Sequence, residues 1–126
     1  MRLQGVRVLL VEDHQDSLEM FRTVLGHHGA AADCVRTVAD ALEAAQTAQP
    51  DVLVAELSLA DNGVPLVPEL RRILGRPVPA ICVSGHARPK DHDRAVAAGF
   101  QLFLPKPVDP EVLVTVIGRV SQRRLG

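Results

Sequence analysis

Short apolar runs of strand length alternate with helical patterns five times along the chain. The runs occupy residues 6–11, 31–35, 52–55, 80–83 and 100–104. After each run, apolar residues recur every three or four positions, which is the spacing of one helix face. Strands that alternate with helices favour a parallel sheet joined by right-handed crossovers. The pattern therefore predicts an α/β fold of five βα units, (βα)5, around a five-stranded parallel sheet.

Local signals place the first three helices. We predict a first helix over residues 16–28, a second one after Thr37, and a third one that ends near residue 74. Thr37 is a favoured N-cap residue, and Pro68 limits where the third helix can begin. The residues between the third strand and the third helix, 58–63, are predicted to form a loop.

Two further helices complete the pattern. One is predicted over residues 90–98, and the other begins at Asp109-Pro110, with Asp at the N-cap and Pro at the first helical position. No repeat, linker or low-complexity tract interrupts this order. We therefore predict one domain over residues 1–126.

Composition excludes several classes of partner. The 126 residues suffice for one buried core, and the net charge of −1 gives no overall attraction to nucleic acid or anionic membranes. No apolar stretch approaches membrane-spanning length, and the start of the chain lacks the pattern of a signal peptide. We expect a cytoplasmic protein without direct nucleic-acid or membrane contacts.

Cys34 and Cys82 lie inside apolar runs and are expected to be buried free thiols.

Polar residues follow four of the apolar runs at the points where the predicted strands end. They are Glu12-Asp13, Glu56, Ser84 and Lys106. Because the carboxyl ends of parallel strands open onto one edge of a sheet, these side chains are expected to converge on one pocket. Carboxylate oxygens suit a hard divalent cation, and the lysine suits the negative charge of a phosphoryl group.

The joint order and spacing of these residues, through to Lys106-Pro107, resemble a known family. The chain is similar to the receiver domain of bacterial two-component signalling, the CheY-like domain of response regulators and hybrid histidine kinases. The resemblance covers residues 6–120. It implies a flavodoxin-like, doubly wound sheet in the strand order 2-1-3-4-5.

The resemblance also assigns roles to the polar residues. It implies that Glu12 and Asp13 hold Mg²⁺ together with the carboxylate at position 56 and the main-chain carbonyl oxygen of Ser58. Ser84 and Lys106 match the residues that contact the phosphoryl group, and the Lys106-Pro107 bond is expected to be cis. Ser84 and Phe103 match the pair that switches on activation, although ordinary core packing explains Phe103 equally well.

One position departs from the family's pattern. The phosphoacceptor in the family is an aspartate, and Glu56 stands in its place; Ala60 replaces a usual proline. The additional methylene displaces the carboxylate and brings its charge toward Lys106 and Ser84. Three interpretations follow: a natural receiver that phosphorylation does not switch, either phosphomimetic or used for docking; a receiver with an engineered Glu56; or a Glu56 that accepts phosphate slowly.

The resemblance implies protein partners. A sensor histidine kinase or a phosphotransfer protein would act on the pocket. A downstream protein would bind the face formed by the fourth helix, the fifth strand and the fifth helix. The resemblance also allows a homodimer, with no face assigned to it. In this chain those elements are residues 90–98, 100–104 and 110–120. The sequence allows both a stand-alone regulator and a segment of a hybrid histidine kinase or another larger regulator.

Two other classes of function agree less well with the sequence. A metal-dependent phosphatase of related topology would use Asp13 as a catalytic acid, but such enzymes need a nucleophilic aspartate directly after the first strand and a substrate-binding cap. A flavodoxin-like cofactor binder would need glycines and hydroxyls in the first loop, and residues 12–15 lack them. The sequence favours a signalling module that is not an enzyme.

Overall fold

Five parallel strands form the centre of the computed structural model, which describes residues 2–60, 63–86 and 88–125. The strands are β1 (Arg7–Val11), β2 (Ala31–Val35), β3 (Val52–Glu56), β4 (Ala80–Ser84) and β5 (Leu102–Pro105). They pair in the order β2-β1-β3-β4-β5, and each neighbouring pair is parallel. The predicted doubly wound, flavodoxin-like sheet is confirmed.

Helices lie on both faces of this sheet. In the described residues they are α1 (Gln15–His27), α2 (Val38–Ala48), α3 (Leu57–Ala60), α4 (Leu66–Leu74), α5 (Pro89–Ala97) and α6 (Pro110–Leu125). Strand residues 9, 11, 53 and 55 face the core under α2, α3 and α4, whereas residues 8, 10, 52 and 54 face α1 and α6. Every residue of β3 and β4 is buried, as expected for strands covered on both faces.

The predicted loop over residues 58–63 is wrong in its first part. Residues 57–60 form the single helical turn α3 directly after β3, while residues 61 and 62 lie outside the described part of the chain. The turn contains neither Gly nor Pro. Leu57 is buried, and Leu59 packs against the same core. Packing of these two leucines against the core therefore favours a helical turn over an extended loop.

The fifth strand begins later than predicted, at Leu102 instead of residue 100. The N–H of Phe100 donates to the carbonyl oxygen of Ala95 at 3.0 Å, so Phe100 is tied to the last turn of α5 instead of pairing in the sheet. Gln101 then joins the sheet edge by accepting a hydrogen bond from the N–H of Ala80 through its Oε1 at 2.9 Å. The strand is shorter than predicted because the N–H of Phe100 is needed as the hydrogen-bond donor for a carbonyl group in the last turn of α5.

Two predicted helix starts are confirmed. The Thr37 hydroxyl accepts a hydrogen bond from the N–H of Asp40 at 3.0 Å, and Asp109 Oδ1 accepts one from the N–H of Glu111 at 2.8 Å. Pro68 lies in the first turn of α4, where its missing N–H would have no helical partner. Of the helices described, none is both long and apolar enough to cross a membrane.

Both cysteines are free, but they differ in burial. Cys82 is fully buried in β4, as predicted, whereas Cys34 in the edge strand β2 is only half-buried. Burial raises the pKa of the Cys82 thiol to about 12, and the negative charge of Glu56 adds to this rise. Cys82 is therefore a protonated core side chain.

A buried carboxylate anchors the start of α5. Asp91 is fully buried and accepts hydrogen bonds from the N–H of Arg88, from Arg88 Nε and from an Arg94 guanidinium nitrogen, each at 3.2 Å. Burial by itself raises the pKa of this carboxyl. The hydrogen bonds from Arg88 and the charges of both arginines outweigh burial and hold the pKa below its ordinary value.

We expect the Asp91→Asn variant to be less stable than the wild type at neutral pH and equally stable in strong acid. The folded-state pKa is lowered, so the stabilisation is complete above the ordinary pKa of 3.8 and is lost as the pH falls through the lowered value. Urea midpoints of both proteins across the acid range test this. A difference in midpoint that does not change with pH would assign the effect to packing.

We expect the Leu53→Ala variant, in the centre of β3, to lose about 3 kcal/mol in the free energy of unfolding, because a fully buried side chain leaves a cavity. Leu102→Ala in β5, where the leucine is 38% exposed, is the matched control and should lose less than about 1 kcal/mol. Urea denaturation followed by circular dichroism measures both. Equal losses would contradict the assignment of the core.

Candidate functional site

The ends of four neighbouring strands bring the predicted polar residues together. Glu12 follows β1, Glu56 and Ser84 end β3 and β4, and Lys106 follows β5. They meet at a pocket of about 370 Å³ that is lined by Glu12, Asp13, His14, Ser17, Glu56, Ser58, Gly85, His86 and Lys106. Ser84 lies immediately beside this lining and is 1% exposed. The sheet order therefore produces the convergence that the sequence predicts.

Lys106 connects two of the three carboxylates. Its Nζ lies 2.5 Å from Glu12 Oε1 and 3.4 Å from Glu56 Oε1. The main-chain N–H of Lys106 also donates to the carbonyl oxygen of Ser84 at 2.7 Å. One residue thus links the carboxyl ends of β1, β3 and β4, and the Lys106-Pro107 bond that follows is cis, as expected.

The second oxygen of each glutamate is also bonded. Glu12 Oε2 accepts a hydrogen bond from the N–H of His14 at 3.0 Å, and Glu56 Oε2 accepts one from the N–H of Ser58 at 3.0 Å. Both carboxylates are buried, with residue exposures of 0% and 8%. A buried carboxylate needs such partners, because burial of an unpaired charge is very unfavourable. Each glutamate is therefore held between an ammonium and a backbone N–H.

Asp13 differs from the two glutamates. It is exposed at the edge of the pocket, and its main-chain carbonyl oxygen accepts a hydrogen bond from an Arg36 guanidinium nitrogen at 2.7 Å. The three predicted carboxylates thus share one pocket, but only Glu12 and Glu56 share the lysine. Arg36 directly follows β2. The expectation that polar residues at strand ends converge therefore applies to Arg36 as well, and the sequence could have indicated its place beside the pocket.

Ser84 and Phe103 lie in different surroundings. The Ser84 hydroxyl oxygen accepts a hydrogen bond from the N–H of His86 at 3.1 Å within its own turn. Phe103 is half-buried in β5 and lies against His92 of α5, with ring centroids 5.8 Å apart and the rings tilted by 54°. The structure brings Ser84 to the pocket and places Phe103 beside α5.

Sequence reasoning missed the role of His14. This residue is the N-cap of α1, and its Nδ1 accepts a hydrogen bond from the N–H of Ser17 at 3.4 Å. Histidine is not among the preferred N-cap residues, so capping preference gave no signal for it. Because the His14 N–H also binds Glu12, the cap fixes the loop that carries the acidic pair.

Comparison with known proteins agrees with this architecture. The model of the response regulator receiver domain family matches residues 8–118. The chain belongs to that family. Receiver domains are generally signalling modules that interact with histidine kinases or phosphotransfer proteins, and they generally bind Mg²⁺ at their acidic pocket.

Two relatives illustrate the range of proteins that contain this domain. The chain is 30% identical over 117 residues to an uncharacterized 14.6 kDa protein in the sodA1 3′ region of Leptolyngbya boryana, covering 91% of this chain and 89% of that protein. It is 33% identical over 101 residues to the KDP operon transcriptional regulatory protein KdpE of Escherichia coli, covering 79% of this chain and 44% of that protein. The receiver domain therefore spans less than half of the second relative.

Solved structures show the same fold. A two-component response regulator from Clostridium difficile superposes with a TM-score of 0.85 at 18% identity, covering 97% of this chain and 100% of that one. A CheY-like receiver domain from Methanospirillum hungatei gives a TM-score of 0.82 at 23% identity, covering 96% and 98%. At these sequence identities, the structural similarity is evidence for a shared fold alone.

The pocket contains the types of ligand that a magnesium site needs. Its carboxylate and carbonyl oxygens are the ligands that Mg²⁺ prefers. In the described arrangement, one oxygen of Glu12 and one oxygen of Glu56 contact the Lys106 ammonium. Among the residues that the structure describes, no group of three His, Cys, Asp or Glu side chains forms a metal site.

We expect the Lys106→Met variant to be destabilised by about 2 kcal/mol, because two buried carboxylates lose their counterion, and to shift the backbone amide signals of His14 and Ser58. Lys90→Met, at an exposed position of α5, is the matched control and should change stability by less than about 0.5 kcal/mol. Urea denaturation and amide NMR spectra measure both effects. Unchanged amide signals in Lys106→Met would contradict the pairing.

Proposed function

We propose that residues 1–126 are one receiver domain that signals through protein contacts and is not switched by ordinary aspartyl phosphorylation. The observation that carries this proposal is the position of Glu56. It ends β3, its Oε1 lies 3.4 Å from Lys106 Nζ, and its Oε2 accepts the N–H of Ser58. Glu56 takes the place of the family's phosphoacceptor aspartate, and both of its oxygens are engaged.

Geometry is the first reason why Glu56 would be a poor acceptor. Phosphoryl transfer in such a pocket depends on positioning and on neutralisation of charge. The additional methylene displaces the carboxylate by about one ångström, and misplacement on that scale costs about a hundredfold in rate. An oxygen already paired with Lys106 must also leave this partner before it can attack.

Charge is the second reason. Lys106 is the residue that would stabilise an incoming phosphoryl group, and the Glu56 carboxylate now lies against it. The pocket therefore holds an anion of its own near the position of the phosphoryl group. A permanently placed charge of this kind would imitate the phosphorylated state and fix the domain in one form. For the same reason we propose that Glu56 weakens Mg²⁺ binding.

Three exposed apolar residues mark the surface that would contact partners. Val96 in α5, Leu102 in β5 and Val112 in α6 are 59%, 38% and 42% exposed. They lie on the three elements that carry the partner face in the resemblance. Exposed apolar residues that form one contiguous patch are typical of protein-binding surfaces. We propose that a downstream protein, or a second copy in a homodimer, docks on this face.

A phosphatase fits the pocket less well. Such an enzyme needs a nucleophilic aspartate directly after β1, and this position is Glu12, which is fully buried and paired with Lys106. Asp13, the required catalytic acid, is exposed at the rim. Because the nucleophile position is occupied by an ion pair, a binding module is the better assignment.

Intact mass after incubation with Mg²⁺ and acetyl phosphate tests the proposal. We expect the Glu56→Asp variant to gain one phosphoryl group, because the shorter side chain restores the position of the acceptor. The wild type and the matched control Glu43→Asp, at an exposed position of α2, should gain none. Peptide mapping of the modified variant should locate the group at position 56.

A phosphoryl group on the wild type would overturn the proposal, since the protein would then behave as an ordinary switch. A failure of Glu56→Asp to gain the group would show that the pocket has lost more than its acceptor. That result would favour docking alone over a phosphomimetic state.

A further inference from the structure

The face proposed for partner docking contains a contact between a histidine and an aromatic ring. His92 is exposed on α5, and its ring lies against Phe103 of β5 with the centroids 5.8 Å apart. We propose that protonation of His92 strengthens this contact and tightens the packing of α5 on β5, so that the surface offered to partners responds to pH. The proposal deepens the function proposed above and rests on it, because it concerns the regulation of the same docking face.

The distance between the two rings gives the first step. A cation within about 6 Å of an aromatic centroid is attracted by the electrons of the ring. At 5.8 Å, the His92 ring falls within this range of the Phe103 ring. Histidine is the side chain whose charge ordinarily changes between pH 5 and pH 8. A proton on His92 therefore adds an electrostatic attraction to the packing that the neutral ring already has.

The positions of the two residues give the second step. Phe103 is half-buried in the edge strand β5 and packs against the core under α5, so it is held by the sheet. Val96 follows His92 by one turn of α5 and is 59% exposed, and Leu102 precedes Phe103 and is 38% exposed. A change in the packing of α5 on β5 therefore changes how these two apolar residues are presented together.

Charged groups on α5 itself do not oppose this effect. They are Arg88 at the N-cap and Lys90, Asp91, Asp93 and Arg94 along the helix. Arg88 lies one turn before His92, but both it and Arg94 contact the buried Asp91 carboxylate at 3.2 Å. Because all of these groups lie on or at the start of the same helix as His92, they do not draw α5 toward β5 or push it away.

The neighbouring strand and loops add no competing charge within the described residues. β5 consists of Leu102, Phe103, Leu104 and Pro105, none of which is titratable. Lys106, which follows β5, contacts Glu12 and Glu56, and His86 in the loop before α5 lines the polar pocket. The Phe103 ring is thus the group from another element that contacts His92.

The other helices direct their charges elsewhere. α4 approaches α5 at Ala97 and Ala98, beyond His92. The charged side chains of α4 have partners of their own, since Glu69 pairs with Arg72, and Arg71 donates to the carbonyl oxygen of Val78. α6 packs on the opposite face of the sheet. Protonation of His92 therefore acts mainly on its contact with β5.

A double-mutant cycle with His92→Gln and Phe103→Leu measures the coupling at about pH 5 and about pH 8. We expect a coupling of about threefold in the equilibrium constant for unfolding at the lower pH, and a clearly smaller coupling at the higher pH. The charged groups of α5 are present in all four proteins and cancel. Asp91 stays charged at both pH values, since the pKa of this carboxyl is lowered from 3.8.

His27→Gln, at an exposed position in the last turn of α1, is the matched control for this cycle. Combined with Phe103→Leu, it should show no coupling at either pH. A coupling of His92 with Phe103 that is absent at about pH 5, or that is equal at the two pH values, would overturn the proposal.

The unmutated protein provides a second test that does not depend on folding of a variant. In an NMR titration over the same pH range, the ring signals of Phe103 and the methyl signals of Val96 and Leu102 should follow the His92 ring signals with one midpoint. The ring signals of Phe21, which is buried under α1, should not follow them. Phe103 signals that move independently of His92 would show that protonation does not reach β5, which overturns the proposal.

These results are separable from the test of the proposed function. The pH experiments use neither a phosphodonor nor a change at position 56, so their failure leaves the mass measurement intact. Phosphorylation of the wild type by acetyl phosphate would overturn the proposed function whatever the pH dependence of the contact between His92 and Phe103.

Discussion

Parallel pairing of β1, β3, β4 and β5 is the constraint on which the pocket depends. Because the four strands run in the same direction, their carboxyl ends meet at one edge of the sheet. Residues that are far apart in the sequence, such as Glu12 and Lys106, therefore become direct neighbours. The apolar strands keep this register, since a shift would expose side chains that are now buried on both faces. The packed core thus fixes the positions of the polar side chains at the edge of the sheet.

Because the ion pairs at this edge are buried, they contribute more to structural specificity than to stability. A lysine that bridges two buried glutamates is not a large source of stability, because desolvation offsets much of the attraction. It does specify one arrangement, because removing any partner leaves a buried charge unpaired. The two backbone N–H groups, from His14 and Ser58, fix the same arrangement from the loop side. The pocket of this receiver domain is therefore a defined network of charges, and Glu56 is part of it.

Sequence reasoning succeeded where one local rule governed the outcome. Apolar periodicity located the strands, and Thr37 and Asp109 marked two helix starts that the structure confirms. It failed where two rules competed. The turn at residues 57–60 is helical because Leu57 and Leu59 pack against the core, and Phe100 is hydrogen-bonded to the last turn of α5 instead of beginning β5. In both cases contacts with another element decided between two locally allowed conformations.

The sequence by itself determined the fold class, the order of its elements and the residues that could reach the pocket. These follow from side-chain hydrophobicity and from the position of polar residues at strand ends, which are local properties. Only the tertiary structure decided which oxygen pairs with which donor: that Lys106 contacts Glu12 more closely than Glu56, that His14 caps α1, and that Asp13 stays exposed. Such pairings depend on side-chain torsions and on distances between strands, and these are set only when the whole sheet has assembled.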